Sequence, residues 1–375
     1  MPMERFEFTI GDDVIPYFLG KQCFDDIADE IGRIGTVKSF DKIIIGCDEF
    51  VNEHHVPPFR DALIRKGIPV VVCVTTPGES HKSMASLDDI AQFCLQNECS
   101  RNSIIVPFGG GIVGNMFGLA AALLFRGIRF IHVPTTFLSA HDSVTSKKQA
   151  INHTDLKNIL GTYYVPTAIM CNVSVFETLT EDNIRSGSGE LTKNAIIFGG
   201  EHLAILEPIL DRHQAGLKFT EEEMLELMRL GIKAKGSLLR DDPKERTTAI
   251  IFEYGHTVGH ALELTYGVSH GCAVALGMLA ASYISNKVHK CMHDVRRVHP
   301  LSLCRLWFGN QRYLFLDLDN PDRPVLRLNT MYTQMGIMTD EHRAAHDVLV
   351  RKLGVVIPKA PIASLQVRMA YRRVA

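Results

Sequence analysis

Short, dense apolar runs punctuate the first part of the chain. Residues 42–46 (KIIIG), 69–74 (PVVVCV), 103–108 (SIIVPF) and 129–134 (RFIHVP) are rich in Ile and Val and bounded by turn residues. That is the pattern of strands buried on both faces. Between them, residues 58–66 and 86–97 repeat apolar positions at helical spacing, and a further helix is predicted over 115–125. Such alternation predicts a mostly parallel sheet covered by helices.

From about residue 180 the period changes. Stretches 184–198, 221–239, 247–264 and 272–288 carry helical spacing, and no convincing strand intervenes. The expectation is an α/β domain over 1–178 followed by an all-helical domain over 179–375, which suits a chain of 375 residues. Residues 289–334 stand apart as an insertion-like segment. They are rich in Arg and His, hold the only tryptophan, Trp307, and lack clear periodicity. Basic residues outnumber acidic ones from Ser285 onward, the reverse of the preceding chain. A segment with no apolar face to bury gains little against its ordering entropy, so loose packing is expected there.

Bulk composition narrows the function classes. At 46% hydrophobic, 22% charged and a net charge of −2, the chain offers no electrostatic ground for binding nucleic acid or an anionic membrane. Its nine cysteines include no C-x-x-C pair, which argues against a disulfide framework or a thiolate zinc site. The first ten residues lack a basic-then-apolar leader, and the apolar run 117–125 is too short to span a bilayer. A cytoplasmic protein is expected.

The chemistry concentrates in four blocks. Gly109-Gly110-Gly111-Ile112-Val113-Gly114 fits G-x-G-x-x-G, follows a predicted strand and opens a helix at Asn115. Glycines there let the backbone approach a pyrophosphate at a helix N-terminus; a plain strand-to-helix turn is the alternative. The ribose-gripping acid of the ordinary pattern is missing from 129–134, which leaves Asp48, Glu79 and Lys82 as candidates. A polar block then runs from Thr135, Thr136, Asp142 and Ser143 through Lys148 to Lys157. It follows a strand, where open sheets place ligands, and its cations suit a phosphorylated or polyhydroxylated molecule; an exposed loop is the bland reading. Third, Glu190 and Lys193 stand three apart beside Asn194, either a surface ion pair or a functional face, with Lys235 a weaker addition. Last, Glu253 precedes His256 and His260, four apart and so on one helix face, with His270 ten residues on. Neutral imidazoles completed by a carboxylate suit a divalent metal with an open position.

Taken in order, the GGG-x-x-G-N turn, RG-(x)5-VPTT, D-S-(x)3-K, KN-x-x-G, GE-x-x-KN and GHT-x-GH…HG resemble the dehydroquinate synthase superfamily of sugar-phosphate cyclases. The likeness runs from about residue 40 to 288 and resumes faintly over 336–358. Within it the chain looks most like the 2-deoxy-scyllo-inosose synthases. The loop reads Ser146-Lys147-Lys148-Gln149-Ala150, Glu253 replaces an Asn, and Ala249 replaces a substrate-site arginine. The resemblance implies a Rossmann-like NAD-binding domain and a helical metal and substrate domain. It implies a divalent metal, Zn or Co, on Glu190, His256 and His270. It places NAD on Asp48, Glu79, Lys82, Gly110, Gly111, Gly114, Asn115, Thr135, Thr136, Asp142, Ser143 and Lys157, and catalysis on Lys148, Lys193, Asn194, Lys235, Glu253 and His260. Glucose 6-phosphate would be oxidised transiently at C4, lose phosphate, be reduced again and close by an aldol step, on the way to 2-deoxystreptamine antibiotics. A homodimer is expected. The alternatives are 3-dehydroquinate synthase activity, simple NAD-dependent polyol oxidation, or an impaired homologue that still binds NAD or a partner chain. Cys272 stands where the family usually has Glu, and no counterpart of the family's closing segment follows residue 358, so a more open site with weak turnover is expected.

Overall fold

A computed structural model of the chain describes residues 3–278, apart from 155, 215 and 267, together with a two-residue strand pair, Leu326–Arg327 with Gln366–Val367. Apart from Leu326 and Arg327, the expectations for 289–334 and for the recovered likeness near the C-terminus lie outside the described residues.

In chain order the strands are β1 (Glu4–Ile10), β2 (Asp13–Gly20), β3 (Ile43–Asp48), β4 (Val70–Thr75), β5 (Ile104–Gly109), β6 (Arg129–Pro134), β7 (Lys148–His153), β8 (Leu156–Tyr163) and β9 (Ala168–Asn172). The helices are α1 (Phe24–Val37), α2 (Glu49–His54), α3 (Val56–Arg65), α4 (Met84–Gln96), α5 (Gly111–Leu123), α6 (Phe137–His141), α7 (Glu181–Phe198), α8 (Gly200–Gln214), α9 (Glu221–Leu239) and α10 (His256–Tyr266). Seven strands form one sheet in the order β1-β2-β9-β6-β5-β3-β4. It is parallel throughout except for the antiparallel β1–β2 pair at one edge.

Of the dense apolar strands, β3, β5 and β6 are buried on both faces because successive side chains point to opposite sides, while β4, at the sheet edge, is mostly half-buried. On β3, Ile43, Ile45 and Cys47 join a core with Ile27, Ile31, Phe59 and Leu63 of α1 and α3. Ile44 joins the opposite core with Leu87 and Ile90 of α4 and Met116 and Phe117 of α5. The chain divides into two compact units, 1–187 with 219–249, and 188–218 with 250–375. This division differs from the boundary expected at 178/179. The physical reason is α9, which packs on β1 and α6. It buries Met224, Leu225, Leu227 and Met228 and links Arg229 to Glu4 of β1.

Two elements depart from the sequence expectation. The polar block after β6 is no open loop, since β7 and β8 form an antiparallel hairpin whose first strand lies against α5. The helix expected over 247–264 is broken. Thr248–Glu253 form a short 3-10 turn, and α10 starts only at His256. Gly255 between them has φ +84°, which no helix tolerates. From 181 to 278 the elements among the described residues are helical, with 270–278 the last of them. None of the described helices is long and apolar enough to cross a membrane.

Candidate active site

In the first unit, β4 lies on one side of β3 and β5 on the other, so the chain reverses direction across the sheet between β3 and β5. Ligands of open α/β sheets bind beyond the carboxyl ends of strands at such a point. Asp48 ends β3, and Gly109 ends β5. Gly110 caps α5 in extended conformation, and Thr135 N–H donates to Gly109 O at 2.9 Å, holding the next loop against the turn. A Cβ on Gly110 would meet Thr136 Cγ2 at 2.9 Å, and one on Gly111 would meet Ser143 Oγ at 3.3 Å. The turn is therefore a cradle only glycine leaves open, at the N-terminus of a 13-residue helix whose dipole favours an anion.

The remaining cofactor candidates fall into three groups. Asp48 Oδ1 accepts from Val51 N at 2.9 Å and caps α2. Glu79 Oε1 accepts from Asn152 Nδ2 at 2.8 Å. Lys82, 5% exposed, donates to Asn115 Oδ1 at 3.3 Å and to Asn158 Oδ1, and Lys157 precedes Asn158 on β8. The hairpin thus links the Glu79–Lys82 segment to α5. Thr136 caps α6 by accepting from Ser139 N at 3.1 Å, and Ser143 donates to Ser139 Oγ at 3.0 Å.

Beside these lies a cluster of charges. Lys235 on α9 pairs with Asp142 at 2.6 Å, and Lys148 on β7 pairs with Glu245 at 2.8 Å. Burial alone would raise the Glu245 carboxyl, but the ammonium groups of Lys235 and Lys148 outweigh it and hold the group below its usual range. Glu245 also sits at φ +53°, a left-handed conformation uncommon for a residue with a side chain. The loop around it is pinned by Asp242, whose carboxylate accepts from the backbone N–H of Arg246 at 2.9 Å, Thr247 at 2.6 Å and Ala249 at 3.0 Å. Burial works against that charge, and the three N–H groups outweigh it, leaving Asp242 below its ordinary value. Ala249 is fully buried.

In the second unit, Glu190, His256 and His270 come together with their ligand atoms within 4.8 Å of one another. Glu190 Oε1 lies 3.6 Å from His256 Nε2 and 3.7 Å from His270 Nε2. Glu190 is fully buried, yet Oε1 accepts no hydrogen bond, while Oε2 accepts from the equally buried Lys193. A buried carboxylate oxygen left between two imidazole nitrogens fits a divalent cation, and one oxygen with two nitrogens suits Zn2+ or Co2+. His256 Nδ1 donates to Tyr254 O at 3.4 Å, which leaves its Nε2 lone pair toward Glu190.

Close backbone approach makes this possible. A Cβ on Gly189 would sit 2.3 Å from Gly271 O, and one on Gly255 2.5 Å from Val274 O. These glycines let α7 and the start of α10 press against the 270–278 helix. Asn194, 1% exposed, has neither side-chain polar atom hydrogen-bonded, an arrangement that a ligand's hydroxyls would satisfy. Glu253 and His260 lie within the same reach of His256, and Lys193 stands 5.7 Å from the Phe252 ring centroid.

Residues 72–186 match the family described as 3-dehydroquinate synthase N-terminal, and residues 187–303 match its C-terminal counterpart. The chain belongs to the 3-dehydroquinate synthase family. Among the family's curated members it is 38% identical to the 2-deoxy-scyllo-inosose synthase of Streptomyces kanamyceticus over 291 residues, 76% of this chain and 72% of that one. It is 36% identical to that of Streptoalloteichus tenebrarius over 303 residues, 79% and 76% of the two chains. A crystal structure of 2-deoxy-scyllo-inosose synthase superposes with a TM-score of 0.74 at 30% identity, covering 84% of this chain and 87% of that one. A second, complexed with carbaglucose-6-phosphate, NAD+ and Co2+, gives 0.73 at 29% identity over 90% and 87%.

Two acids of this 3-dehydroquinate synthase family member were not singled out by its sequence motifs. Glu245 follows a Pro-Lys pair in what reads as a charged surface loop, and no spacing ties it to Lys148 or Lys235. Glu263 lies three residues beyond His260 on α10, and its Oε2 stands 3.3 Å from Nδ1 of both His260 and His270. The heptad spacing from His256 was the one available signal.

Proposed function

We propose that the chain is a metal- and NAD-dependent cyclase that converts glucose 6-phosphate to 2-deoxy-scyllo-inosose and phosphate, in 2-deoxystreptamine antibiotic biosynthesis. The observation that carries this reading is Glu190 Oε1, buried and unpaired between the Nε2 atoms of His256 and His270. A plain NAD-binding protein has no use for that arrangement. The reading includes a C-terminal domain that is helical apart from the Leu326–Arg327 and Gln366–Val367 strand pair, and a cytoplasmic homodimer, the latter in keeping with Ile159, Leu160 and Tyr163 left exposed on β8.

Bound NAD supplies reversible hydride acceptance, and the metal supplies polarisation of a hydroxyl and of the ketone derived from it. The chain's own residues do the rest. The glycine turn at Gly110 and Gly111, with Thr136 and Ser143 as its walls, receives the pyrophosphate, and Asn115 fixes Lys82 beside it. Lys148 and Lys235 supply positive charge for the substrate phosphate, each held in place by a carboxylate. Lys193 offsets the charge of Glu190, Asn194 offers hydrogen bonds to hydroxyls, and His260 Nε2 is the group that accepts and returns a proton.

Substrate choice follows from Ala249 and Glu253. An alanine in place of arginine leaves no partner for a substrate carboxylate, and Glu253 repels one, which speaks against 3-dehydroquinate synthase activity. Purified protein is to be incubated with glucose 6-phosphate, NAD and Co2+ or Zn2+, with release of phosphate and of a carbocyclic ketone followed. Faster turnover of the heptulosonate phosphate than of glucose 6-phosphate would overturn the assignment.

A further inference from the structure

We propose that Glu263 is a positioning residue of the metal centre, its single Oε2 holding His270 and His260 by their Nδ1–H groups. The inference rests on the metal-binding reading of Glu190, His256 and His270, and it adds the group that orients the least confined of those ligands.

His256, His260 and Glu263 lie four and three residues apart on α10, so all three occupy one face. His270 opens the next helix, and Glu263 Oε2 lies 3.3 Å from its Nδ1 as well as 3.3 Å from that of His260. The two rings are 5.6 Å apart and inclined by only 31°, so one oxygen can serve both.

The two metal-facing imidazoles differ in how they are held. The His256 side chain is 11% exposed, and its Nδ1 donates to a backbone carbonyl. The His270 side chain is 29% exposed, so packing alone does not stop its ring from turning over and exchanging Nδ1 for Nε2. A carboxylate at Nδ1 fixes the tautomer with the proton there and the lone pair on Nε2, the atom 3.7 Å from Glu190 Oε1. It also makes the imidazole a stronger donor to a cation. Holding His260 through the same oxygen ties the proton-handling ring to the metal ligand. His260, Glu263 and His270 also lie close enough to hold a cation of their own. Sharing one oxygen at hydrogen-bond separation favours the orienting role.

The test uses the full chain, stripped of metal and titrated with Co2+, with the visible spectrum and equilibrium dialysis as readouts. Glu263→Ala should weaken Co2+ binding about 10–100-fold and alter the cobalt spectrum, as expected for loss of a ligand-orienting partner. Glu263→Gln, which keeps one acceptor without the charge, should fall between Ala and wild type. NAD binding measured by calorimetry reports on folding of each variant, and an unfolded Ala variant leaves Gln to decide. Wild-type cobalt affinity and spectrum in a folded Gln or Ala variant would overturn the role of Glu263 alone. Failure of the wild type to bind Co2+ would overturn the metal reading itself. Binding of two equivalents, one lost with Glu263, would make Glu263 a ligand and refute the positioning role.

Discussion

Replacing Glu245 by Gln removes one negative charge from beside Lys148 and Lys235 while keeping the side chain's size. Breaking a buried ion pair by removing one partner typically costs about 3–5 kcal/mol. Two features reduce that here. The Lys148 side chain is 41% exposed and can take up water, and Lys235 keeps Asp142 at 2.6 Å. About 2 kcal/mol is therefore expected at neutral pH, or roughly 4–8 °C in the melting midpoint for a unit of this size. The sign of the pH dependence follows from the carboxyl being held below its ordinary 4.5. Its contribution is fully present above that value and is lost as pH falls through the lower folded one. Urea denaturation followed by far-UV circular dichroism should show a constant gap between wild type and Glu245→Gln from about pH 7 to pH 5, closing in more acid solution. An equal gap at pH 3 and pH 7, or none at pH 7, would refute the reasoning.

Three other outcomes can be checked directly. His256→Ala and His270→Ala should each abolish Co2+ retention in dialysis while leaving NAD binding intact, because the glycine turn belongs to the other compact unit; NAD binding lost with the metal would contradict this. Gly189→Ala places a methyl 2.3 Å from Gly271 O, so the 270–278 helix must shift. A loss of about 1–3 kcal/mol or more by chemical denaturation is expected, together with weaker cobalt binding, and an unperturbed variant would show that the close approach does no work. Ala249→Arg should bring no gain with glucose 6-phosphate and a relative gain with a carboxylate-bearing sugar phosphate, measured as a ratio of kcat/KM values; an unchanged ratio would remove Ala249 from substrate choice.

Dense Ile and Val runs disclosed strands, whereas burial by itself did not: β9 is buried throughout, yet Ala168–Asn172 carries no such run. Strands β3 to β6 are apolar on both faces and stand out as unbroken runs. The β1–β2 pair does not: in β1 Phe8 and Ile10 alternate with exposed or half-buried neighbours, and in β2 Pro16 interrupts the pattern just before the buried run Tyr17, Phe18 and Leu19. The β7–β8 hairpin was hidden for the opposite reason, since β8 is largely exposed and its residues read as a polar loop. Helix α9 was legible to the residue, with Thr220 and Glu223 forming a capping box before a periodic run. Helix α8 was not, because Pro208 lies inside it. The break at Gly255 was hidden within a continuous apolar period, as a single glycine inside a helical pattern is usually tolerated.

The same contrast separates the parts of the candidate site. Glycines in a strand-to-helix turn and histidines at one helical turn announce themselves, because chemistry restricts the residue types and local geometry restricts the spacing. Glu245 and Glu263 do neither. Each acts on other side chains, Glu245 on two lysines and Glu263 on two histidines. Their partners come from different elements, so no interval along the chain encodes the pairing. What they share is placement. Each acid sits among groups that, left to themselves, would turn, repel or rehydrate. A metal centre and a phosphate-binding cluster both require cationic or donor groups held at fixed positions before a ligand arrives, and an acid set behind them meets that requirement at the expense of some of their charge.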